Sequence, residues 1–155
     1  LVKIISRQLF SYSLELENRS SFPVHIFLEE AHRYIQNDSD TSILGYNIFE
    51  RITKEGRKYG VLLGMISQRP SEISETAISQ CTNFFVFRMQ HPKDLAYIKE
   101  MVPNVTEEIA GKFKILQPGN CMAFGIAFKL PLLLKLDMPN PTPLSQNIDI
   151  KSSWY

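Results

Sequence analysis

Hydrophobic residues along the chain fall into short runs, separated by segments with helical periodicity. Residues 24–28 and 61–66 are two such runs, rich in β-branched, aliphatic and aromatic side chains, and each is typical of a strand inside a sheet. Between them, residues 43–59 place Ile48 and Ile52 four positions apart and end on a basic turn before a glycine, which predicts a helix. This order predicts a right-handed βαβ crossover between parallel strands.

Acidic and amide side chains follow the two predicted strands. Glu29 and Glu30 come directly after the first run, and Gln68 follows the second. The carboxyl ends of parallel strands meet at one sheet edge, where ligands bind, so the three side chains are expected to lie together. Such a set suits a nucleoside triphosphatase, in which one acid holds hydrated Mg²⁺, the next polarises the attacking water and the amide senses the γ-phosphate. The alternative is structural, because carboxylates also favour helix starts.

Three motifs carry a family resemblance. Residues 27–34 (Phe-Leu-Glu-Glu-Ala-His-Arg-Tyr), 55–60 (Glu-Gly-Arg-Lys-Tyr-Gly) and 66–71 (Ile-Ser-Gln-Arg-Pro-Ser) occur in the order and spacing of the C-terminal half of the HerA-type ATPase core. The chain therefore resembles the HerA–FtsK group of ring-forming P-loop ATPases, which pump double-stranded DNA. The resemblance extends through residues 83–88 and 116–136. A superfamily 2 helicase is less apt, because its Ser-Ala-Thr element is replaced here by Ser-Gln-Arg-Pro.

The resemblance implies a fold, a domain organisation and cofactors. The expected fold is α/β, a partial RecA-like P-loop NTPase core whose mostly parallel sheet has helices on both faces and a C-terminal β-hairpin. Residues 1–136 would form this core and residues 137–155 an irregular, proline-containing extension. The implied cofactors are ATP and Mg²⁺, the latter held through water by Glu29. The family's usual first acid is Asp, so Glu29 is a departure that would shift the metal–water geometry.

The resemblance also assigns roles to individual residues. Glu30 and Gln68 would be catalytic, and Arg57 matches the position from which the family projects an arginine finger into the neighbouring subunit's ATP site. Arg69 and Arg88 would contact phosphate or a subunit interface, and the alternative for Arg57 is a solvated helix end that complements the helix dipole.

No Gly-x-x-x-x-Gly-Lys-Ser/Thr phosphate loop occurs in these 155 residues. We therefore expect the chain to be part of a longer protein and to be inactive as an ATPase by itself. A net charge of +1 excludes a uniformly basic DNA-wrapping module. Cys81 and Cys121 are isolated in the sequence, so zinc binding is not expected. Isolated cysteines also suit a reducing cytoplasm. No segment is expected to span a membrane.

Further elements are predicted by local signals. Helices are expected at residues 73–80, 92–101 and 106–113, the last capped by Thr106, with a strand at residues 83–88. A turn at residues 117–120 is expected to join two edge strands, and residues 36–42 to form a polar loop. At the end of the chain, Trp154 and Tyr155 are expected either to anchor on a neighbouring subunit or to fray.

The resemblance implies a cytoplasmic, hexameric ATP-driven translocase or helicase on double-stranded DNA, working with a nuclease or other effector in DNA processing or phage defence. One alternative is a ring scaffold that no longer hydrolyses ATP. Another is a coupling ATPase of conjugation or secretion systems.

Overall fold

The computed structural model describes residues 1–19, 21–36, 46–102 and 104–143. Its helices are α1 (Val2–Glu15), α2 (Ile48–Glu55), α3 (Glu75–Ser79), α4 (Pro92–Met101) and α5 (Glu107–Phe113). Its strands are β1 (Val24–Leu28), β2 (Val61–Met65), β3 (Asn83–Val86), β4 (Asn120–Gly125) and β5 (Leu132–Lys135). Short 3₁₀ helices occupy Ala31–Arg33, Gly56–Tyr59 and Pro70–Glu72.

Strands β1 and β2 form a parallel pair in which Val24 lies opposite Val61 and Leu28 opposite Met65. Alternate side chains of a strand point to opposite faces, so one face of this pair is apolar and packs on helices α1 and α2. The core formed there includes Phe10, Leu28, Ile48, Phe49, Ile52 and Val61. The pair is therefore held by a hydrophobic layer on one side.

The opposite face of the β1–β2 pair carries exposed apolar side chains. Phe27 is 71% exposed, and Leu62 and Ile66 are also exposed. The Phe27 ring lies across Gly64, where an added Cβ atom would be 2.5 Å from the ring. Within the described residues, helices thus cover one face of this sheet and leave the other open.

Strands β3, β4 and β5 form a separate antiparallel sheet with β4 in the centre. Phe84 lies opposite Phe124 and Val86 opposite Met122. Helices α4 and α5 pack on this face and build a second core, which includes Val86, Leu95, Ile98, Phe113, Met122 and Phe124. The rings of Phe113 and Phe124 meet edge to face at a centroid distance of 6.0 Å.

Several predictions from the sequence are confirmed. The fold is α/β, with a parallel strand pair, a βαβ crossover and a C-terminal antiparallel hairpin formed by β4 and β5. Helix α4 begins at Pro92 as expected, and α5 is capped by Thr106, whose side chain accepts a hydrogen bond from the Ile109 amide. Each of these features depends on strong local signals.

The parallel part of the sheet is smaller than predicted. Among the described strands, β1 and β2 alone run parallel, whereas β3 is antiparallel to β4. An apolar run does not encode the direction of its neighbour, and β3 finds its apolar partners on β4.

The crossover helix is shorter than the predicted 43–59. Residues 43–45 lie outside the described residues, and α2 begins at Ile48 because the Asn47 side chain accepts a hydrogen bond from the Phe49 amide at 3.0 Å. The helix then tightens into the 3₁₀ turn Gly56–Tyr59, which ends at Gly60 with φ of 74°.

Three other boundaries also differ from the predictions. The predicted helix 73–80 is reduced to α3, because Ile73 is extended and its carbonyl accepts a hydrogen bond from the Tyr97 hydroxyl. Strand β3 ends at Val86, since the chain turns toward α5, where the Met89 amide donates to the Phe113 carbonyl. The turn at 117–120 leads from α5 into the central strand β4 and does not join two edge strands.

The domain boundary at residue 136 stays a prediction. Residues 137–143 have no regular structure, and Trp154 and Tyr155 lie outside the described residues, as does most of the predicted loop 36–42. None of the described helices has the length and apolar character required to cross a membrane.

Two glycines give a matched test of this packing. Gly56→Ala should destabilise the protein by about 1–3 kcal/mol, because the new Cβ would lie 2.4 Å from the Val61 carbonyl oxygen. Gly111→Ala should stabilise it by about 0.5–1 kcal/mol, since Gly111 is inside α5 with open space around the added atom. Denaturant unfolding of both variants measures the difference, and equal effects would contradict the packing at the α2–β2 junction.

Candidate active site at the carboxyl edge of the parallel strands

The first component of the site is the turn that follows β1. Glu29 is exposed, and Glu30 adopts the left-handed conformation with φ of 51° and ψ of 47°. The hydrogen bond from the Ala31 amide to the Ile66 carbonyl, 2.9 Å long, continues the parallel ladder past this residue. A left-handed conformation costs a non-glycine residue roughly 1–2 kcal/mol, and such strain is concentrated at functional sites.

The second component comes from the end of β2. The Gln68 Nε2 donates a hydrogen bond to Glu30 Oε1 at 3.1 Å, although the two residues are far apart in sequence. The prediction that Gln68 lies beside the β1 carboxylates is therefore confirmed for Glu30. The contact is a direct consequence of the parallel register, which brings both strand ends to one edge.

His32 and Ser67 complete the cluster. His32 Nδ1 lies 2.9 Å from Ser67 Oγ and 3.4 Å from Glu30 Oε2. The His32 side chain is 13% exposed and that of Glu30 is 35% exposed, so the contacts form at the border of the interior. Glu30 Oε2 itself is buried and has no hydrogen-bond partner among the described residues.

The segment after Gln68 is fixed to helix α4. The Ser71 amide donates to Asp94 Oδ1 at 3.1 Å, and Asp94 is itself buried. The Arg69 amide donates to Ser67 Oγ at 3.0 Å, while the Arg69 guanidinium pairs with Glu72 at 3.0 Å. These bonds restrict the backbone that follows Gln68, whereas β2 restricts the backbone that precedes it.

The donor set of this edge fits a hard cation with a mostly aqueous shell. Mg²⁺ prefers oxygen ligands and retains several waters, and the exposed Glu29 carboxylate offers oxygen atoms of this kind. No group of three or more His, Cys, Asp or Glu side chains arranged for metal binding occurs in the described part of the chain. The carboxylate chemistry of this edge is therefore compatible with Mg²⁺.

The predicted arginines are not gathered into this cluster. Arg57 is exposed in the 3₁₀ turn before β2. It therefore lies at the amino end of this strand, whereas Gln68 follows the carboxyl end. Strand β2 has five residues, which at about 3.3 Å each separates its ends by roughly 15 Å. Arg88 is exposed beyond β3 and, like Arg57, has no ion-pair partner among the described residues. Arg69 adjoins the cluster but its charge is directed to Glu72.

His32 and Ser67 were missed as site residues by the sequence analysis. A signal was present, since His32 follows Glu30 by two residues and Ser67 precedes Gln68 within the same motifs.

Burial raises the pKa of the Cys81 thiol to about 11, so this cysteine is protonated at neutral pH and is not a nucleophile.

Curated relatives identify the origin of these motifs. The chain is 35% identical over 133 residues to the DNA double-strand break repair helicase HerA of Saccharolobus solfataricus, covering 86% of this chain and 26% of that protein. The same-named protein of Sulfurisphaera tokodaii is 38% identical over 116 residues, covering 75% of this chain and 23% of that protein. The chain is a homologue of the HerA helicases.

The HerA relationship extends over most of this chain but only a part of its relatives. The chain spans about a quarter of the length of the curated HerA proteins that it matches. The HerA protein of Pyrococcus furiosus is 31% identical to this chain over 116 residues, which cover 75% of this chain and 21% of that protein. No family model matches the sequence.

Solved structures support the same fold. The DNA-packaging ATPase B204 of Sulfolobus Turreted Icosahedral Virus has a TM-score of 0.67 and 15% identity, covering 86% of this chain and 62% of that chain. The corresponding ATPase of Sulfolobus turreted icosahedral virus 2, solved with AMPPCP, has a TM-score of 0.69 and 14% identity, covering 88% and 63%. At such identities the similarity shows a shared α/β fold.

The strained backbone of Glu30 gives a stability prediction. Glu30→Gly and Glu30→Ala remove the same carboxylate contacts, but only glycine adopts the left-handed conformation without steric cost. We expect the glycine variant to be more stable than the alanine variant by about 1 kcal/mol in denaturant unfolding. An alanine variant of equal or greater stability would show that this backbone conformation is not strained.

Proposed function

We propose that the full-length protein is an ATP-hydrolysing motor that translocates on double-stranded DNA, as expected for a HerA-type ATPase. The observation that carries this proposal is the hydrogen bond of 3.1 Å between Gln68 and Glu30 at the carboxyl edge of two parallel strands. This edge is where α/β proteins bind ligands. The HerA helicases and the packaging ATPases support the same conclusion by sequence and by fold.

The residues of the edge divide the work between them. Glu30 acts as the base that orients and polarises the attacking water, and Gln68 positions the Glu30 carboxylate and senses the γ-phosphate. Glu29 would hold Mg²⁺ through water, and the ion would supply neutralisation of charge on the phosphate oxygens. The nucleotide is ATP, in line with the packaging ATPase whose structure was solved with ATP-gammaS.

The phosphate loop comes from another part of the full-length protein, since these 155 residues contain no Gly-Lys-Ser/Thr motif. The open face with Phe27, Leu62 and Ile66 supports this arrangement, because an exposed apolar sheet face of this kind is a contact surface for further structure. The remainder of the ATPase domain covers this face and brings the loop to the edge.

Arg57 acts in trans in this proposal. Arg57 is exposed, lies far from Glu30 of the same chain and has no ion-pair partner among the described residues. These properties suit an arginine finger that enters the ATP site of an adjacent subunit. The assembly is a hexameric ring in the cytoplasm. Arg69 and Arg88 contact phosphate or the subunit interface.

The motor works with a nuclease or another effector in DNA processing or phage defence. A second candidate is a ring scaffold without hydrolysis, favoured by the replacement of the usual acid by Glu29. An intact phosphate loop in the full-length sequence would favour the motor, and its loss would favour the scaffold. A coupling ATPase of secretion or conjugation would be distinguished by a membrane helix or a different N-terminal domain.

The first functional prediction concerns Glu30. In the full-length protein, Glu30→Gln should abolish ATP turnover and leave binding of ATP and Mg²⁺ intact, because the amide keeps the size of the side chain but cannot act as a base. Steady-state phosphate release measures turnover, and fluorescent ATP-analogue titration measures binding. Glu100→Gln, on the exposed face of α4, is a matched control that should keep wild-type activity. Unchanged hydrolysis by Glu30→Gln would remove this residue from the catalytic role.

The second functional prediction tests the placement of Arg57. An inactive phosphate-loop variant mixed with inactive Arg57→Ala should recover part of the ATPase activity, since some interfaces of mixed rings then contain both intact halves. The measurement is ATPase rate against mixing ratio after the rings are dissociated and reassembled.

Lys58→Ala is the control for the Arg57 test, because Lys58 is the next exposed cation in the same turn. It should hydrolyse ATP normally by itself. If Arg57→Ala assembles into rings and retains the wild-type rate, Arg57 is an ordinary solvated side chain.

A further inference from the structure

The two oxygens of the Glu30 carboxylate have different surroundings. Oε1 accepts the hydrogen bond from Gln68 at the solvent-exposed side. Oε2 is buried without a hydrogen-bond partner, and His32 Nδ1 lies 3.4 Å away from it. A buried carboxylate oxygen without a donor is costly, so a donor at this position would have a large effect on the orientation of the carboxylate.

His32 Nδ1 has two potential partners. It lies 2.9 Å from Ser67 Oγ, which also accepts a hydrogen bond from the Arg69 amide at 3.0 Å. When Nδ1 carries no proton, the Ser67 hydroxyl donates to it. When Nδ1 carries a proton, it donates either to Ser67 Oγ or, after a small movement, to Glu30 Oε2.

We propose that His32 is a positioning residue, which together with Ser67 sets the orientation of the Glu30 carboxylate for hydrolysis. This inference rests on the proposed ATPase function. The Nδ1 atom of the imidazole is the ring atom that lies beside both Ser67 Oγ and the buried Glu30 Oε2. Gln68 holds the other oxygen by a hydrogen bond, so side chains from the ends of β1 and β2 flank the carboxylate.

This arrangement predicts which kinetic constant will change. His32→Ala should lower kcat by about 10- to 100-fold, because a catalytic group displaced by about 1 Å loses activity of this order. The KM for ATP should stay within about twofold, since His32 supports the water-activating group and not the nucleotide-binding surface. Because a smaller folded fraction would also lower the apparent kcat at constant KM, kcat is expressed per ATP-binding site, counted by titration with a fluorescent ATP analogue.

Two conservative variants isolate the ring nitrogen. The amide of asparagine reaches the position of Nδ1, whereas that of glutamine reaches the position of Nε2. His32→Asn should therefore recover most of the kcat lost in His32→Ala, and His32→Gln should not. His25→Ala is the matched control, because His25 is exposed on β1 outside the cluster and should keep the wild-type kcat.

A double-mutant cycle tests the pairing with Ser67. Ser67→Ala should lower kcat by itself, and its combination with His32→Ala should be no slower than His32→Ala alone, since the two groups act as one unit. Multiplicative losses would show that the two residues act independently and would contradict the pairing.

The outcomes distinguish this inference from the proposed function. If the wild type hydrolyses ATP, Glu30→Gln is inactive and His32→Ala retains the wild-type kcat, the proposed function stands and His32 has no positioning role. Equal kcat values for His32→Asn and His32→Gln would also overturn the role of Nδ1, even if His32→Ala does not fold. If the wild type does not hydrolyse ATP, the proposed function fails and this inference fails with it.

Discussion

Parallel pairing of β1 with β2 is the constraint on which the candidate site depends. Ile66 donates its amide hydrogen to the Leu28 carbonyl, and its own carbonyl accepts from the Ala31 amide, both at 2.9 Å. These two bonds fix the backbone on either side of Glu29 and Glu30. They also hold Glu30 in the left-handed region, where its carboxylate meets the Gln68 amide. Backbone strain and side-chain placement thus have the same cause.

The site is also connected to both hydrophobic cores. Glu30 follows a strand that is packed in the first core, whereas Asp94 lies on α4, which packs in the second. Asp94 accepts a hydrogen bond from the Ser71 amide, and the Tyr97 hydroxyl donates one to the Ile73 carbonyl. Helix α4 therefore holds the segment that follows Gln68. Helix α4, which packs on the antiparallel sheet, is thus hydrogen-bonded to the segment that leaves the proposed catalytic edge.

Charges are separated along the β1–β2 pair. Glu29 and Glu30 lie at its carboxyl end, whereas Arg57 lies at its amino end. In the proposed ring, Arg57 would therefore act on the site of an adjacent copy and not on the carboxylates of its own chain. With a net charge of +1, the chain has no broad positive field, and DNA contacts in the proposed motor depend on local groups in the assembly.

The sequence by itself determined the features that depend on neighbours along the chain. The acid-ended strand 24–28, the crossover to 61–65, helix α4 after Pro92 and the Thr106 cap all follow from local patterns, and the crossover was sufficient to place Gln68 beside Glu30. The tertiary structure alone decided the antiparallel direction of β3, the left-handed Glu30 and the contact of His32 with Ser67. These features depend on contacts between residues distant in sequence, and neither periodicity nor capping signals contain that information.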